Sequence, residues 1–431
     1  MTKVLNKNLG DLGEDVMGFL NEVQLDYPQA ISLASGRPDE RFFQLEASIQ
    51  AYDTFVQYRS INTNKSKQET IGLLGQYGRT KGIINDIIVK FLKEDENIHV
   101  NPSSVLLTVG AQEAMALVVT AMCNATDVLL VENPSYIGIS SFAKIAGYQV
   151  APVAVDQDGI DTTQLVDQIE ALTQEGKRAK LVYVIPDFQN PTGSYMPLNK
   201  REELLQLAAK HDFYIIEDNA YGHFIYEGDR IPSLKSLDKN NRVIFIGSFS
   251  KLLFPGLRIA TLVADQVIQE GEKEIRLSDA FAKVKNYLSV NSASICQAIV
   301  GGVLIQHNYT LSRFTQPKLK ALKEKRDAIV NALSAHFDIE NHAWADQVSW
   351  QKPQGGFFIT VKLPFEMGKK ELLDCVQQHG VICCPMTFFD LEGKPSNQVR
   401  FAFSNLTIDQ IHEAIQRFAA YVTNQMAVVT T

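Results

Sequence analysis

The feature that most constrains the fold is an alternation of short apolar runs with helical segments between about residue 69 and residue 300. Helices are predicted in several of the intervals, including residues 111–123 and 198–210. Such alternation is typical of an α/β fold, in which helices cover both faces of a mainly parallel sheet. The sequence predicts seven strands for this sheet: Val105–Thr108, Val128–Val131, Gln149–Val155, Leu181–Ile185, Phe213–Glu217, Val243–Ile246 and Ile259–Val263.

The two ends of the chain lack this alternation. The polar residues 59–68 are predicted to form a loop at the edge of a domain. We therefore expect residues 66–314 to form a large domain, and residues 1–65 and 315–431 to build a smaller α+β domain from both chain ends. The elements predicted in these end segments are helices at 13–26, within 318–333, near 368–379 and at 407–424, and strands at Ile31–Ala34, Phe357–Lys362 and Val399–Ser404.

Composition and charge argue against several classes of partner. The 431 residues carry a formal net charge of −8, which gives no electrostatic footprint for nucleic acid or an anionic membrane. No apolar run is long enough to span a bilayer, and the N-terminus has no apolar core of a secretory signal. The five cysteines show no zinc-ligand spacing. We therefore expect a cytoplasmic protein with no metal site and with no nucleic-acid or membrane partner.

The segment SFSKLLFPGLR, residues 248–258, carries the strongest chemical signal. It follows a predicted buried strand and contains Ser248, Ser250, Lys251 and Arg258. Hydroxyls and a guanidinium suit a phosphate, and a lysine on a largely apolar wall can lose its proton and attack an aldehyde. These groups could hold pyridoxal 5′-phosphate (PLP) as a Schiff base. The alternative is a solvated lysine–arginine pair in a Pro-Gly turn.

Two further strand ends could contribute to the same site, because ligands of open α/β sheets bind beyond the carboxyl ends of the strands. Gly110, Ala111 and Gln112 open a helix, where free N–H groups favour a phosphate, although an ordinary turn explains them equally well. Tyr136 follows the next strand and could stack on a planar cofactor. A buried core tyrosine is the commoner alternative for that residue.

The next strand ends place more polar groups at this edge of the sheet. Asn190 lies in the stiff turn PDFQNPTG and could donate to a phenolate oxygen. Asp218 could pair with a protonated pyridine nitrogen and keep the ring an electron sink, or it could cap the helix that follows. Tyr221 could bind the same ring oxygen as Asn190.

Arg400 lies between apolar neighbours in the predicted strand VRFAFS, residues 399–404. A guanidinium in that setting needs an anionic partner. The α-carboxylate of an amino acid matches its bidentate geometry, and an internal salt bridge is the alternative.

In their order along the chain, these motifs resemble the PLP-dependent aminotransferases of fold type I, class I/II. The resemblance extends from about residue 27 to residue 422 and is nearest to aminoadipate and kynurenine aminotransferases. It rests on the motifs QYGRTKG (76–82), TVGAQEA (108–114), VENPSY (131–136), PDFQNPTG (186–193), EDNAYG (217–222), SFSKLLFPGLR (248–258), PQGGFF (353–358) and VRFAFS (399–404).

The resemblance implies a transaminase that moves an amino group between an L-amino acid and a 2-oxo acid. Lys251 would form the internal aldimine and shuttle the proton, with Asp218 and Tyr221 as further catalytic residues that also bind the cofactor. The other cofactor contacts that the resemblance implies are Gly110, Ala111, Gln112, Tyr136, Asn190, Ser248, Ser250 and Arg258.

The resemblance also implies a homodimer with shared active sites, because Tyr77 matches a tyrosine that reaches the phosphate of the neighbouring subunit. Arg400 would bind the carboxylate of the substrate, beside Asn190. Gly36 would belong to the loop that closes over the substrate. Met386 replaces a usual glycine near the expected mouth of the site, so we expect it to influence substrate choice.

Two other classes of function remain open at this point. The same scaffold supports β-elimination and oxygen-dependent oxidative deamination of amino acids, because all of these reactions share one carbanion. A PLP-sensing transcription regulator would carry a DNA-binding module before this fold. Only about 30 residues precede ISLASG here, too few for a winged-helix module, so we rank the regulator lowest.

Overall fold

The computed structural model describes residues 6–10, 15–340 and 342–429. Residues 13 and 14 of the first predicted helix lie outside these ranges. The helices within the described ranges are α1 Lys7–Gly10, α2 Val16–Asp26, α3 Leu45–Thr63, α4 Lys67–Leu74, α5 Asn85–Glu96, α6 Gly110–Met122, α7 Ile137–Ile145, α8 Thr162–Gln174, α9 Leu198–Lys210, α10 Leu234–Leu237, α11 Phe249–Leu252, α12 Leu277–Leu288, α13 Ser294–Gln306, α14 Ser312–His336, α15 Lys369–His379 and α16 Ile408–Val429.

The strands of the described ranges form four sheets, two of which are only pairs of strands. They are β1 Ile31–Ser32, β2 Val105–Thr108, β3 Asp127–Asn133, β4 Gln149–Asp156, β5 Gly159–Ile160, β6 Arg178–Val184, β7 Tyr214–Asn219, β8 Val243–Ser248, β9 Ala260–Val263, β10 Val267–Glu270, β11 Lys273–Arg276, β12 Ser349–Trp350, β13 Phe358–Lys362, β14 Val381–Ile382, β15 Cys384–Pro385 and β16 Gln398–Ala402.

The large sheet has the strand order β2-β9-β8-β7-β6-β3-β4-β5. Strands β8, β7, β6, β3 and β4 are parallel, whereas β9 is antiparallel to both β8 and β2. This confirms the predicted mainly parallel sheet, and all seven predicted strands are present within three residues of their predicted ends. The additional strand, β5, has two residues and pairs antiparallel with β4, so it is too short to leave a pattern in the sequence.

The central strands of this sheet are buried on both faces. In β6, Leu181, Val182, Tyr183 and Val184 are all buried, because helices pack on both sides. This is why the strands read as continuous apolar runs in the sequence. The polar residues that follow these runs lie together at the carboxyl edge of the sheet.

The second sheet is antiparallel, with the strand order β12-β13-β16-β15. Strand β1 pairs in parallel with β14, with Ile31 opposite Val381, and the backbone N–H of Ala402 donates to the carbonyl oxygen of Leu33 at 2.6 Å. These bonds join the N-terminal segment to the C-terminal part of the chain. They confirm a smaller α+β domain that is built from both chain ends.

The predicted loop at residues 59–68 is wrong, because α3 and α4 cover most of it. Asn64 ends α3 in the left-handed conformation, with φ +52°, and Ser66 starts α4 in a capping box with Glu69. The polar residues of this stretch are therefore helix caps and exposed helix positions. Helix α3 packs closely on α13, since a Cβ at Gly302 would lie 1.8 Å from the Ala51 carbonyl oxygen. The domain limits at 65 and 315 remain a prediction.

Candidate functional site

A cavity of about 590 Å³ opens at the carboxyl ends of β3, β6, β7 and β8, next to the second sheet. Of the predicted site residues, Gly110 and Tyr77 do not line it. The predicted residues that do line it are Gly36, Ala111, Gln112, Tyr136, Asn190, Asp218, Tyr221, Ser248, Ser250, Lys251, Arg258 and Arg400.

Lys251 lies in α11, directly after β8, and its Nζ donates to the carbonyl oxygen of Gly36 at 2.7 Å. Burial, together with the charges of Arg400 and Arg37, lowers the pKa of Lys251 to about 8. An amine attacks a carbonyl only in its neutral form, so this environment favours a nucleophile near neutral pH. The position of Gly36 requires glycine, because a Cβ there would lie 2.7 Å from Cζ of Phe358.

Asp218 lies near the end of β7 and is buried. Its Oδ2 accepts a hydrogen bond from the Tyr183 hydroxyl at 2.7 Å, whereas its buried Oδ1 has no hydrogen-bond partner among the described residues. Burial raises the pKa of Asp218 to about 6, while the hydrogen bond from Tyr183 acts to lower it. The helix-cap alternative is wrong, since Asn219 accepts from the Gly222 backbone N–H instead. The unpartnered Oδ1 suits a cationic N–H donor in the cavity.

Arg400 lies in β16 and is buried. Its Nη1 donates to Oδ1 of Asn190 at 2.6 Å, and its Nη2 donates to the Ala34 carbonyl oxygen. Within the described part of the chain its Nε has no partner and no carboxylate pairs with it, so the predicted alternative of an internal salt bridge is wrong. The guanidinium lies 4.5 Å and 4.7 Å from the ring centroids of Phe358 and Phe389. Because Nε has no partner among the described residues and Arg400 lines the cavity, the guanidinium can donate hydrogen bonds to a carboxylate that enters the cavity.

Asn190 and Tyr221 place two hydrogen-bond donors at this wall. Because the Asn190 oxygen accepts from Arg400, the amide NH₂ of Asn190 remains as the donor. Tyr221 is buried and contacts Phe357 and Phe358 edge-on, with ring centroids 5.5 Å and 5.6 Å apart. Burial raises the pKa of Tyr221, so its hydroxyl keeps its proton and can donate.

A second group of residues that line the cavity suits an anion. The backbone N–H of Ser250 donates to Oγ of Ser248 at 3.2 Å, and Nη1 of Arg258 lies 3.5 Å from Oγ of Ser250. Gly110 has φ +77°, and a Cβ there would lie 2.2 Å from Nη2 of Arg258. Gly110 therefore makes room for the guanidinium and does not itself face the cavity.

Tyr136 forms a half-buried wall of the cavity. Its hydroxyl donates to Oε1 of Gln112 at 3.2 Å, and Nε2 of Gln112 donates to the Gly138 carbonyl oxygen at 2.8 Å. The Gln112 side chain thus fixes the tyrosine ring. The backbone N–H groups at the start of α6, at Ala111 and Gln112, remain for an anion.

Two predicted positions lie away from the cavity. Tyr77 is 85% exposed and does not line it. Met386 is buried and is absent from the lining, so the expectation that it lies at the mouth is wrong. Phe389, three residues further along the same short 3₁₀ helix, lines the cavity instead. The turn of that helix, which the sequence pattern does not reveal, decides which of the two faces the site.

The structure also places at or next to the cavity several residues that the sequence motifs do not predict. Tyr183 lies two residues before Ile185, which lines the cavity, so the period of two along a strand could have indicated it. Arg37 directly follows Gly36 and could have been noted for that reason. Helix α2 contributes Leu20, Asn21 and Gln24, and no local pattern indicates their position.

Comparison with known proteins places the chain among enzymes. The family model for aminotransferases of class I and II matches residues 31–418. The chain is 36% identical to (S)-3,5-dihydroxyphenylglycine transaminase of Amycolatopsis orientalis over 425 residues, which cover 98% of this chain and 95% of that protein. It is 30% identical to aromatic-amino-acid aminotransferase 1 of Thermococcus litoralis over 426 residues, or 97% and 94% of the two chains.

The fold has close counterparts among solved structures. The kynurenine aminotransferase of Pyrococcus horikoshii, solved in complex with PMP, KYN and KYA, has a TM-score of 0.83 to this chain. The two are 28% identical, and the match covers 98% of this chain and 97% of that one.

Proposed function

Since this chain belongs to the class I and II aminotransferases and its cofactor is pyridoxal phosphate, we propose that Lys251 carries the cofactor and that the amino donor is an aromatic L-amino acid. The acceptor is a 2-oxo acid. Two relatives named for aromatic or hydroxyphenyl substrates support this donor class. The apolar side chains of Ile137, Phe358 and Phe389 on the cavity wall support it as well.

The residues of the cavity fit each polar part of this cofactor. The buried, unpartnered Oδ1 of Asp218 matches the N–H of a pyridinium ring. The Asn190 amide and the Tyr221 hydroxyl provide donors for the ring oxygen, and Tyr136 provides a flat wall for the ring. The hydroxyls and the guanidinium of residues 248–258 provide donors for the phosphate.

When bound, the cofactor supplies an electron-withdrawing ring that stabilises negative charge at Cα of the substrate. Lys251 Nζ moves the proton to and from that Cα, and its lowered pKa keeps part of it neutral near pH 8. Asp218 holds the proton on the ring nitrogen. Arg400 holds the α-carboxylate and so orients the substrate over Lys251.

The unpartnered Oδ1 of Asp218 is the observation that carries this proposal. Leaving a buried carboxylate oxygen without a donor costs about 1–3 kcal/mol or more. Because Asp218 lines the cavity, a ligand that brings a donor can supply the missing hydrogen bond. Because Lys251 and Arg400 line the same cavity, one ligand can meet all three groups.

A panel of L-amino acids tests the proposed function. Each amino acid is mixed with the purified holoenzyme, and the absorbance of the lysine-bound cofactor is followed as it converts to the aminated form. We expect the fastest conversion with aromatic amino acids. No conversion with any amino acid would contradict transamination, and free ammonia without the aminated cofactor would indicate elimination or oxidation. Lys251→Ala serves as the inactive control.

We further propose a homodimer in which Tyr77 binds the phosphate in the partner's cavity. The support is that Tyr77 is 85% exposed and does not line the cavity of its own chain. Lys251→Ala and Tyr77→Ala chains are inactive alone in this arrangement. A hybrid of the two has one complete site out of two, so mixing and reassembly should recover activity. Hybrids that form but stay inactive would mean that one chain builds each site.

A cytoplasmic location is the remaining proposal. All five cysteines are free, which fits a reducing compartment. In the described part of the chain, no helix is both long and apolar enough to cross a bilayer. Fluorescence imaging of the tagged full chain together with fractionation would test the location, and recovery in a secreted fraction would contradict it.

A further inference from the structure

The charged side chains that line the cavity in the described structure are Arg37, Asp218, Lys251, Arg258 and Arg400. Under the proposed function four of them have a partner. Asp218 meets the ring nitrogen, Lys251 carries the cofactor, Arg258 meets the phosphate and Arg400 meets the α-carboxylate. Arg37 is a cation without such a partner.

Arg37 is exposed and lines the cavity, in the segment between β1 and α3. No carboxylate of the described residues forms an ion pair with it. Its charge nevertheless reaches Lys251, where it acts with Arg400. The nearby Arg41 differs in both respects, because it pairs with Asp39 at 2.6 Å and does not line the cavity.

A transaminase receives two substrates in turn in one cavity. An aromatic side chain can pack on Leu20, Ile137 and Phe389, all of which line the cavity. A short dicarboxylic acid places a second carboxylate in that space, and a carboxylate gains nothing from apolar walls. A guanidinium binds a carboxylate through two parallel hydrogen bonds, so Arg37 supplies what these walls lack.

We propose that Arg37 binds the second carboxylate of a dicarboxylic substrate, in its amino or 2-oxo form, and so lets one cavity accept both dicarboxylic and aromatic substrates. This inference rests on the proposed function. Arg37 is then a specificity-determining residue, because monocarboxylic substrates make no use of it.

Binding of glutarate and butyrate to the holoenzyme tests the proposal without turnover. The two acids share a four-carbon chain with one carboxylate, and only glutarate has a second. Calorimetry should show that the wild type prefers glutarate, and that Arg37→Gln weakens glutarate binding roughly ten- to a hundred-fold with butyrate binding little changed. The matched variant Arg41→Gln should bind both acids like the wild type.

Kinetics with 2-oxoglutarate and pyruvate provide a second readout. The specificity constant for 2-oxoglutarate divided by that for pyruvate should fall in Arg37→Gln. Arg37→Lys should recover part of this ratio, because the positive charge is kept. An unchanged glutarate preference and an unchanged ratio in Arg37→Gln would overturn the proposal. If the wild type converts no amino acid but its glutarate binding still depends on Arg37, the proposed function fails and the carboxylate site stands.

Discussion

The two faces of strand β7 hold adjacent buried carboxylates in opposite situations. Both oxygens of Glu217 accept backbone hydrogen bonds at 2.8 Å, from the N–H groups of Leu234 and Lys235 at the start of α10. On the cavity face, one oxygen of Asp218 has no partner in the described structure. A buried carboxylate stabilises a fold when its lone pairs are satisfied. Glu217 therefore belongs to the fold, whereas Asp218 is prepared for a ligand.

Two buried arginines repeat this contrast. In Arg201, Nε and Nη1 donate to the carbonyl oxygens of Met196 and Pro232, each at 3.0 Å, and Nη2 pairs with Asp187. In Arg400, Nε has no partner and no carboxylate is paired with the guanidinium among the described residues. Each side-chain nitrogen of Arg201 therefore has a partner within the fold. In these two pairs, the residues with an unpartnered buried atom in the described structure, Asp218 and Arg400, are the two that line the cavity.

The largest effect, a loss of turnover, is expected from substitution of one of the two adjacent carboxylates of β7. Asp218→Asn should leave PLP bound but lower turnover by several orders of magnitude, because the amide cannot hold the ring nitrogen protonated. Glu217→Gln should instead lower the free energy of unfolding by about 1–3 kcal/mol, since its NH₂ would face a backbone N–H. Turnover per folded site in Glu217→Gln should stay near the wild-type value.

Cofactor absorbance, single-turnover rates and urea unfolding of the two variants separate these outcomes. Near-normal turnover in Asp218→Asn would make Asp218 a structural residue. A large loss of turnover in folded Glu217→Gln would remove the distinction between the two faces.

The next largest effects are expected from substitution of the two buried arginines, Arg400 and Arg201. Arg400→Ala should weaken the binding of every amino acid by roughly ten- to a hundred-fold, because all share the α-carboxylate. Arg201→Ala leaves Asp187 buried without its cation, which should cost about 3–5 kcal/mol of stability. Specificity constants across one amino-acid panel and thermal unfolding measure the two effects. A loss that depends on the substrate side chain in Arg400→Ala would contradict its role.

The smallest effect is expected at Tyr183, whose hydroxyl donates to Asp218. Burial raises the pKa of Asp218 in the folded state to about 6, above its value in the unfolded chain. Protonated Asp218 therefore stabilises the folded state at low pH, and this stabilisation is lost as the pH rises from about 4 through 6. Tyr183→Phe removes a contact that lowers this pKa, so in that variant the loss should extend to higher pH. The free energy of unfolding of the cofactor-free variant and wild type is measured between pH 4 and pH 8. The difference between the two at each pH gives this shift.

Tyr421 provides a matched control, because its buried hydroxyl has no hydrogen-bond partner among the described residues. Tyr421→Phe should show the wild-type pH dependence. An identical profile for Tyr183→Phe would mean that the Tyr183 hydroxyl does not tune Asp218.

The sequence predicted most of the site because of one property of parallel sheets. The carboxyl ends of their strands meet at one edge, so Asn190, Asp218 and Ser248 could be grouped although they are far apart in the chain. The order of the motifs along the chain then indicated pyridoxal phosphate as the cofactor. Local patterns could not locate Leu20 and Gln24, because α2 reaches the cavity only through the packing of the N-terminal segment on the C-terminal part.

Other misses have local physical causes. The polar residues 59–68 favour a loop in the sequence, yet Asn64 and Ser66 serve as helix caps. Met386 and Phe389 lie on one turn of 3₁₀ helix, and only the packing of that turn decides which side chain reaches the cavity.

Lys251 and Lys318 offer the most direct test that the cavity cluster holds the cofactor. Burial lowers the pKa of both side chains to about 8, and both border a small cavity beside the main one. The Nζ of Lys318 donates to the Leu252 carbonyl oxygen, and Lys318 does not line the main cavity. Borohydride reduction of the holoenzyme, followed by peptide mass mapping, locates the linked lysine. We predict the cofactor mass on Lys251 alone, retained in Lys318→Met and lost in Lys251→Ala; a linked Lys318, or a covalent adduct in Lys251→Ala, would contradict the assignment.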